Sequence, residues 1–230
     1  MFRPIGRSPE WGEPMSVKTR VFAGAIALMA VTGCAGSAAA QQSQDVTACV
    51  NKEGASPDIQ IGGCTAAIQS GRWKGKDLAW AFYNRGVAYH NKGEYDRAIQ
   101  DFDQAIKLDP NNANAFTGRG LAYRNKGEYD RAIQDYDQAI KLNPSYAIAF
   151  YNRGVAYRGK AQYDRAIQNF DQAIKLDPNN AIAFYNRGVA YHNKGQTDRA
   201  IQDYDQAIKL NPSYANAIKN RAEAIEKKNK

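Results

Sequence analysis

One segment of this chain of 230 residues occurs twice, identical at every position, at residues 82–93 and 184–195. Related copies begin at Phe116 and Phe150, so the step between neighbouring copies is 34 residues. A fixed period of this length is typical of repeat architectures, in which each unit buries its apolar surface only against its neighbours. The period therefore replaces the estimate of one or two ordinary domains that the chain length alone would suggest.

Within each unit, the apolar residues follow the period of an α-helix twice. Phe82, Gly86 and Tyr89 are spaced i, i+4, i+7, and the same spacing recurs between Ala98 and Ala105. Small residues on these faces allow two helices to approach closely, and aromatic rings fill the remaining space. We therefore expect two antiparallel amphipathic helices per unit, helix A and helix B. A proline follows each helix B, where the chain must stop and turn: Pro110, Pro144, Pro178 and Pro212.

Seven positions of the unit resemble the pattern of the tetratricopeptide repeat family, from about residue 79 to residue 230. Counting from Ala79 as position 1, positions 4, 8, 11, 20, 24, 27 and 32 of the first unit are Phe82, Gly86, Tyr89, Ala98, Phe102, Ala105 and Pro110. The other three units carry the same residue, or another aromatic at position 24, at every one of these positions. The resemblance implies an all-α fold, an α-solenoid of antiparallel helix pairs.

The resemblance also implies the organisation of the chain. Residues 215–230 restart helix A and end in a lysine-rich tail, which predicts a C-terminal capping helix with Ile218, Ala222 and Ile225 on one face. Residues 45–78 resemble a degenerate N-terminal repeat that serves as a cap. The four full repeats are expected at residues 79–112, 113–146, 147–180 and 181–214.

Position 7 departs from the family pattern, because each unit has arginine where leucine is usual: Arg85, Arg119, Arg153 and Arg187. A charge on this face must be paired, or must reach solvent with its stem packed as a hydrophobe. We expect each guanidinium to meet an aspartate of a neighbouring helix, such as Asp101 or Asp103 and their equivalents, in a structural role.

In the family, helix-A residues at positions 2, 5, 6, 9, 12 and 13 line a concave groove that holds an extended polypeptide. No acidic residue occupies these positions here. The resemblance gives the following candidate peptide-binding residues: Trp80, Tyr83, Asn84, Val87, His90, Leu121, Arg124, Tyr151, Asn152, Val155, Arg158, Tyr185, Asn186, Val189, His192 and Asn220.

The asparagines at position 6, with Asn220 in the cap, resemble the asparagine ladder of the O-GlcNAc transferase solenoid, although Gly118 interrupts the row. An amide can bond the main chain of an extended peptide through both its donor and its acceptor. Tyr-Asn at positions 5 and 6 is also the commonest pair in the family, so a structural role is the alternative. Members that hold chaperone tails use Lys and Asn at positions 5 and 9, which this chain lacks, whereas Arg124 and Arg158 are available for an acidic partner segment.

Enzymatic function is not expected from this sequence. His90 and His192 are its only histidines and lie three repeats apart, too far to share a metal ion or a proton. The cysteines lack a partner base, and no phosphate-binding glycine loop is present. We therefore expect no catalytic residue, metal or cofactor. The net charge of +8 is spread beside aspartates in every repeat, which argues against nucleic acid as a partner.

Residues 1–40 have the composition of a targeting segment. Lys18 and Arg20 precede the apolar residues 21–32, which are followed by small residues, as in a secretory signal that begins at Met15. Residues 31–34, Val-Thr-Gly-Cys, resemble the bacterial lipobox, in which Cys34 would be lipidated and become the first residue. Alternatively, cleavage after the alanines at 38–40 would make Gln41 the first residue of a soluble product. The expected localisation is the periplasm, with an outer-membrane lipoprotein as the favoured form.

Two cysteines, Cys49 and Cys64, remain once the leader and Cys34 are accounted for. In an oxidising compartment we expect a disulfide between them, and two separate buried thiols are the alternative. Closing a loop of about 15 residues would stabilise the fold by roughly 3 kcal/mol.

The predicted function is that of a non-catalytic scaffold, which holds an extended extracytoplasmic polypeptide in its groove during envelope assembly or secretion. The alternative is a structural module that self-associates into a homo-oligomer. We expect a protein or peptide partner, no nucleic acid, and contact with a membrane only through a lipid anchor.

Overall fold

A computed structural model describes residues 46–50 and 54–229 of this chain. The predicted leader, with Met15, Cys34 and Gln41, lies outside the described residues. Within them the regular structure is helical and no strand occurs, so the predicted all-α fold class is confirmed. None of the described helices combines the length and the apolar character needed to cross a membrane.

The helices follow one another with short connections. Residues 46–49 form a single helical turn, and a 3-10 turn, Gly75–Leu78, precedes the first full repeat. The ten longer helices of the described chain are α1 (Pro57–Gln69), α2 (Ala79–Asn91), α3 (Tyr95–Leu108), α4 (Ala113–Asn125), α5 (Tyr129–Leu142), α6 (Ala147–Gly159), α7 (Tyr163–Leu176), α8 (Ala181–Asn193), α9 (Thr197–Leu210) and α10 (Ala215–Lys228).

The helices belong to two compact units, Met1–Pro110 and Asn111–Lys230. In the first unit α1 packs on α2 and α2 on α3. In the second, α4 packs on α5 and each later helix packs on the one before it, as far as α10, in antiparallel pairs. Helices α2, α4, α6, α8 and α10 are therefore the A helices, and α3, α5, α7 and α9 the B helices, as the repeat pattern predicted.

Each A helix meets its B helix through a glycine at position 8. A Cβ atom built on Gly188 would lie 2.7 Å from Cε1 of Tyr204, and one on Gly154 would lie 2.8 Å from Cε1 of Phe170. The rings of Tyr204 and Phe170 are buried. Only glycine allows this approach, because any side chain at position 8 would overlap a ring that has no room to move.

A second buried face on the A helices was not singled out in the sequence. The alanines at positions 3 and 10 have no exposed surface in any of the five A helices, Ala149 and Ala156 of α6 being typical. Helix A thus has small residues on two faces, and in the second unit α6 and α8 each pack between two B helices.

Helix α10 differs from the expectation for the cap. Its buried residues are Ala217 and Ala224, whereas Ile218, on the face predicted to be apolar, is 45% exposed. In a complete repeat that face packs on helix B, and within the described residues no helix B follows α10.

The first unit begins with the predicted disulfide, which the structure confirms between Cys49 and Cys64 with an S–S distance of 2.06 Å. Both cysteines are buried together with Ala67 of α1 and Ala81 of α2. The bond therefore fixes the turn at residues 46–49 to α1, next to the start of the first repeat.

Candidate peptide-binding face

In the second unit the A helices lie side by side, since α6 contacts both α4 and α8. We call their predicted groove positions the helix-A face. It consists of Leu121, Arg124, Tyr151, Asn152, Val155, Arg158, Tyr185, Asn186, Val189, His192 and Asn220.

Asparagine and tyrosine side chains connect successive A helices across this face. Nδ2 of Asn186 donates to the hydroxyl of Tyr151 at 3.2 Å and to the carbonyl of Ile182 at 2.8 Å. Nδ2 of Asn220 donates to the hydroxyl of Tyr185 at 3.2 Å. Position 6 of one repeat is therefore adjacent to position 5 of the repeat before, and the predicted columns of residues are contiguous within this unit.

The same bonds favour a supporting role for the asparagines. Asn152 and Asn186 are buried, and both N–H groups of Asn186 are used within the chain. The amide of Asn152 donates to the carbonyl of Ile148 at 2.9 Å, and its oxygen accepts from Nη1 of Arg124 at 3.0 Å. That these amides bond the main chain of a peptide stays a prediction, whereas their role in fixing Arg124 and Tyr151 is observed.

A cleft of about 520 Å³ opens on this face at the junction of the repeats that begin at Ala113 and Ala147. Its size falls within the range of about 300–1,000 Å³ that is usual for ligand pockets. Most of its lining is polar, and Val155 is its one aliphatic side chain. The lining residues are Arg124, Asn125, Tyr129, Val155, Arg158, Gly159 and Asn193.

The cleft lies where Gly159 replaces the asparagine found at position 13 of the other repeats. A Cβ on Gly159 would lie 2.7 Å from Cζ of Tyr129, so the ring packs against the bare backbone of α6. Tyr129, the first residue of helix B, was not among the predicted site residues. The exchange of asparagine for glycine was the only signal in the sequence that could have indicated it.

Two arginines give the cleft its charge. Arg124 and Arg158 are half-buried at position 12 of α4 and α6, and neither forms an ion pair with any residue that the structure describes. Burial raises the pKa of the Tyr151 hydroxyl, while both guanidinium groups lower it, because they favour the phenolate. Arg124 and Arg158 thus act on the same point of the helix-A face.

The arginines at position 7 behave differently, because each is paired with side chains of neighbouring helices. Arg187 donates to both carboxylate oxygens of Asp203, at 2.8 and 2.6 Å, and to Asp171 at 2.6 Å. Arg85 bonds Asp101 in the same bidentate way. Arg153 instead donates to the amide oxygen of Asn169 at 2.7 Å and also pairs with Asp137. The predicted structural pairing is confirmed, with asparagine substituting for aspartate in one repeat.

In the first unit, three of the predicted groove residues of α2 are buried or packed against other side chains. Tyr83 and Asn84 are buried, and Trp80 packs edge to face on Trp73 with the ring centroids 5.3 Å apart. Trp80 also contacts the buried cluster around the disulfide. Val87 and His90 are half-buried.

Comparison with solved structures shows the same fold. A crystal structure of MamA is 26% identical with a TM-score of 0.61, over 69% of this chain and 91% of that chain. The first TPR of Spaghetti (RPAP3), bound to the HSP90 peptide SRMEEVD, is 27% identical with a TM-score of 0.51, over 52% of this chain and 95% of that one. YrrB, described as a TPR protein with an unusual peptide-binding site, is 23% identical with a TM-score of 0.62, over 78% and 88%, and shows the fold alone.

Family profiles identify the repeats themselves. The one described as "Tetratricopeptide repeat" matches residues 79–112 and 181–214 and, in a second form, 102–134. The one described as "TPR repeat" matches residues 120–160 and 156–195. No match was found among curated protein sequences. The matched segments together run from residue 79 to residue 214, more than half of the chain, and the protein therefore belongs to the tetratricopeptide repeat family.

Proposed function

We propose that this protein is a non-catalytic scaffold that binds an extended segment of a partner polypeptide on the helix-A face. Proteins of this family are typically scaffolds without catalytic activity. The observation that carries the proposal is the continuity of the face. Hydrogen bonds from Asn186 to Tyr151 and from Asn220 to Tyr185 place position 6 of one repeat next to position 5 of the repeat before it. A regular row of this kind suits a ligand that is itself extended and regular.

The neighbour bound to an HSP90 peptide supports the same class of ligand, since that repeat domain covers about half of this chain at 27% identity. The accessible side chains of the helix-A face are half-buried valines, tyrosines, arginines and a histidine. They offer apolar contacts and hydrogen-bond donors, and no residue of the face is acidic.

Selection of random short peptides on the immobilised full chain tests the proposal. Val155→Glu and Val189→Glu place charges on the helix-A face, and we expect each to abolish the recovery of peptides that bind the unsubstituted chain. Lys175→Glu and Lys209→Glu, on exposed parts of α7 and α9, are matched controls that should leave recovery unchanged. If the unsubstituted chain selects no peptides, or if the valine variants select the same ones, the scaffold proposal is wrong.

Self-association is the second candidate function, because Ile218 of α10 exposes 45% of its surface on a face that packs on helix B in the complete repeats. A second copy of the chain could cover this face. Light scattering over a concentration series distinguishes the two: an oligomer that Ile218→Lys dissociates would support self-association, and a monomer at every concentration would exclude it.

We also propose that the leader at residues 1–40 directs export of the protein. The helix-A face would then lie in the bacterial envelope and bind its partner during envelope assembly or secretion. Mass spectrometry of the mature N-terminus distinguishes the two forms. A lipidated Cys34 would identify an outer-membrane lipoprotein, and a start at Gln41 would identify a soluble periplasmic or secreted protein. An intact leader on the mature protein would contradict export.

A further inference from the structure

We infer that the cleft around Arg124 and Arg158 is a carboxylate-binding subsite, which selects polypeptides with an acidic residue or an acidic C-terminus. This inference rests on the proposed function, because the carboxylate is carried by the polypeptide on the helix-A face. The two arginines are on consecutive A helices, α4 and α6, and Asn125, Tyr129 and Asn193 line the same cleft.

Arg124 and Arg158 differ from the position-7 arginines in their ion pairs. All five position-7 arginines, including Arg221 of α10, have an acidic side chain as partner. Arg124 and Arg158, as half-buried as several of these, have none within the described chain. A guanidinium that is partly removed from water is stabilised when it gains a carboxylate. A carboxylate supplied by a ligand would therefore gain more binding free energy at these two unpaired arginines than at an exposed lysine.

Preorganisation carries the second step. Nη1 of Arg124 donates to Asn152 at 3.0 Å and Nη2 donates to the side chain of Asn125 at 3.3 Å. The guanidinium is thus held in one orientation before a ligand arrives, which lowers the entropic cost of binding. Guanidinium groups present a planar pair of donors that matches the two oxygens of a carboxylate.

The space in the cleft carries the third step. Because position 13 is Gly159, α6 has no side chain at this point of the cleft lining, and Tyr129 presents its phenol there instead. The phenol and the amides of Asn125 and Asn193 can donate hydrogen bonds to a carboxylate. In an unmodified polypeptide, the anions that fit such a lining are the side chains of Asp and Glu and the C-terminal carboxylate.

The first test is the composition of peptides selected by the full chain from two random libraries, one displayed through a blocked C-terminus and one with a free C-terminus. Enrichment of Asp and Glu in both libraries identifies side-chain carboxylates as the ligand. Enrichment restricted to free C-termini identifies the terminal carboxylate. Both outcomes support the inference. Peptides selected without either preference would overturn it and leave the scaffold function standing, whereas a failure to select any peptide would count against both.

The second test is the affinity of one selected peptide, measured by fluorescence anisotropy with the full chain. We expect Arg124→Gln and Arg158→Gln each to weaken binding about tenfold, as the loss of a charge-assisted hydrogen bond predicts. The matching peptide with Gln in place of Glu should bind the unsubstituted chain about as weakly. Arg199→Gln removes the same charge from an exposed position at the start of α9 and serves as the control, with unchanged affinity.

Gly159→Asn keeps both arginines and fills the floor of the cleft, so it tests the site without a change of charge. We expect it to weaken binding of the acidic peptide about fivefold and to leave the Gln peptide unaffected, because a side chain there competes for the space that the carboxylate occupies. Equal affinity of the acidic and the Gln peptide for the unsubstituted chain would overturn the inference, whatever the variants show.

Discussion

The repeats at 147–180 and 181–214 share the same close contact between helices A and B and differ at nine of their 34 positions. Both place a glycine of helix A against an aromatic ring of helix B, Gly154 on Phe170 and Gly188 on Tyr204. The differences include positions 13, 15 and 23, which are Gly, Ala and Asn in the first of the two and Asn, Gly and Asp in the second. Positions 13 and 15 lie outside the close contact of helices A and B, whereas position 23 is buried and accepts a hydrogen bond from the position-7 arginine of helix A in both repeats.

Each exchange has a local consequence that the other repeat lacks. Gly159 opens the cleft against Tyr129. Ala161 has a φ of 56°, where Gly195 has 76°, so an alanine stands in a left-handed conformation that favours glycine. Asn169 gives Arg153 a neutral partner where Arg187 has the carboxylate of Asp203. These three exchanges therefore change the local surroundings of a repeat while the glycine-to-ring contact between helices A and B is kept.

The largest expected difference between the two repeats concerns position 7. Arg187→Leu leaves the buried Asp203 without its cation and should cost about 3 kcal/mol of unfolding free energy. Arg153→Leu leaves a neutral amide and should cost about 1 kcal/mol. Urea denaturation of the two variants measures both values. Equal losses of unfolding free energy would contradict the view that, of these two repeats, only 181–214 has a buried carboxylate as the partner of its position-7 arginine.

The pH dependence of the same variants sharpens this prediction. Burial raises the pKa of Asp203, against the lowering effect of Arg187. Without Arg187, the pKa of Asp203 in the folded state lies further above its value in the unfolded chain. The folded Arg187→Leu variant therefore binds a proton at Asp203 more readily than the unfolded chain does as the pH falls. The loss of unfolding free energy in Arg187→Leu, relative to the unsubstituted chain, should therefore become smaller toward acidic pH. The loss in Arg153→Leu should not.

The shared core predicts equal effects at position 8. A methyl group on Gly154 or Gly188 would overlap a buried ring, and overpacking of this kind costs about 1–3 kcal/mol, from which a gain in helix propensity of about 1 kcal/mol is subtracted. We therefore expect Gly154→Ala and Gly188→Ala each to lower the unfolding free energy by up to about 2 kcal/mol. A loss in one repeat only, measured by urea denaturation, would show that the two cores are not equivalent.

A smaller effect of opposite sign is expected at the turn between helices A and B. Ala161→Gly relieves the left-handed alanine, and after the greater flexibility of glycine in the unfolded chain is deducted it should stabilise the protein by about 0.5 kcal/mol. Gly195→Ala introduces the same strain in the next repeat and should destabilise by a similar amount. Thermal melts of the two variants would shift in opposite directions, and a shift in the same direction would contradict the comparison.

The smallest effect on stability is expected at position 13. Gly159 is exposed and its neighbour Tyr129 is a half-buried ring at the start of a helix, so Gly159→Asn should change the unfolding free energy by no more than about 0.5 kcal/mol. If this variant unfolds well before the unsubstituted chain in a thermal melt, the glycine has a structural role and the cleft is a by-product of it.

Much of the fold could be predicted from the sequence, because the 34-residue period shows which positions of the repeats are equivalent. Glycine at position 8, an aromatic at position 24 and proline at position 32 predicted the helix pairs, and the odd count of cysteines predicted the Cys49–Cys64 bond once Cys34 was assigned to the leader. Position 7 was recognised as a charge on a packed face, and its aspartate partners followed from the neighbouring helix.

The candidate site was harder to predict from the sequence. Periodicity assigns a residue to a face but does not state which atoms its side chain meets. Asn186 was predicted on the helix-A face, where it lies, yet its donors are used by Tyr151 and by its own helix. Tyr129 belongs to helix B by its position and reaches the cleft only because Gly159, on another helix, has no side chain. Space left by an absent side chain becomes visible only when the helices are packed.

The disulfide divides the molecule chemically as well as structurally. The cysteines of this chain are Cys34, Cys49 and Cys64, so Asn111–Lys230 contains no thiol. Dithiothreitol would therefore weaken the packing of α1 in the first unit while the unit with the helix-A face kept its full stability. We therefore expect a reducing buffer to loosen the packing of α1, and the peptide capture that we propose for the helix-A face to continue in that buffer.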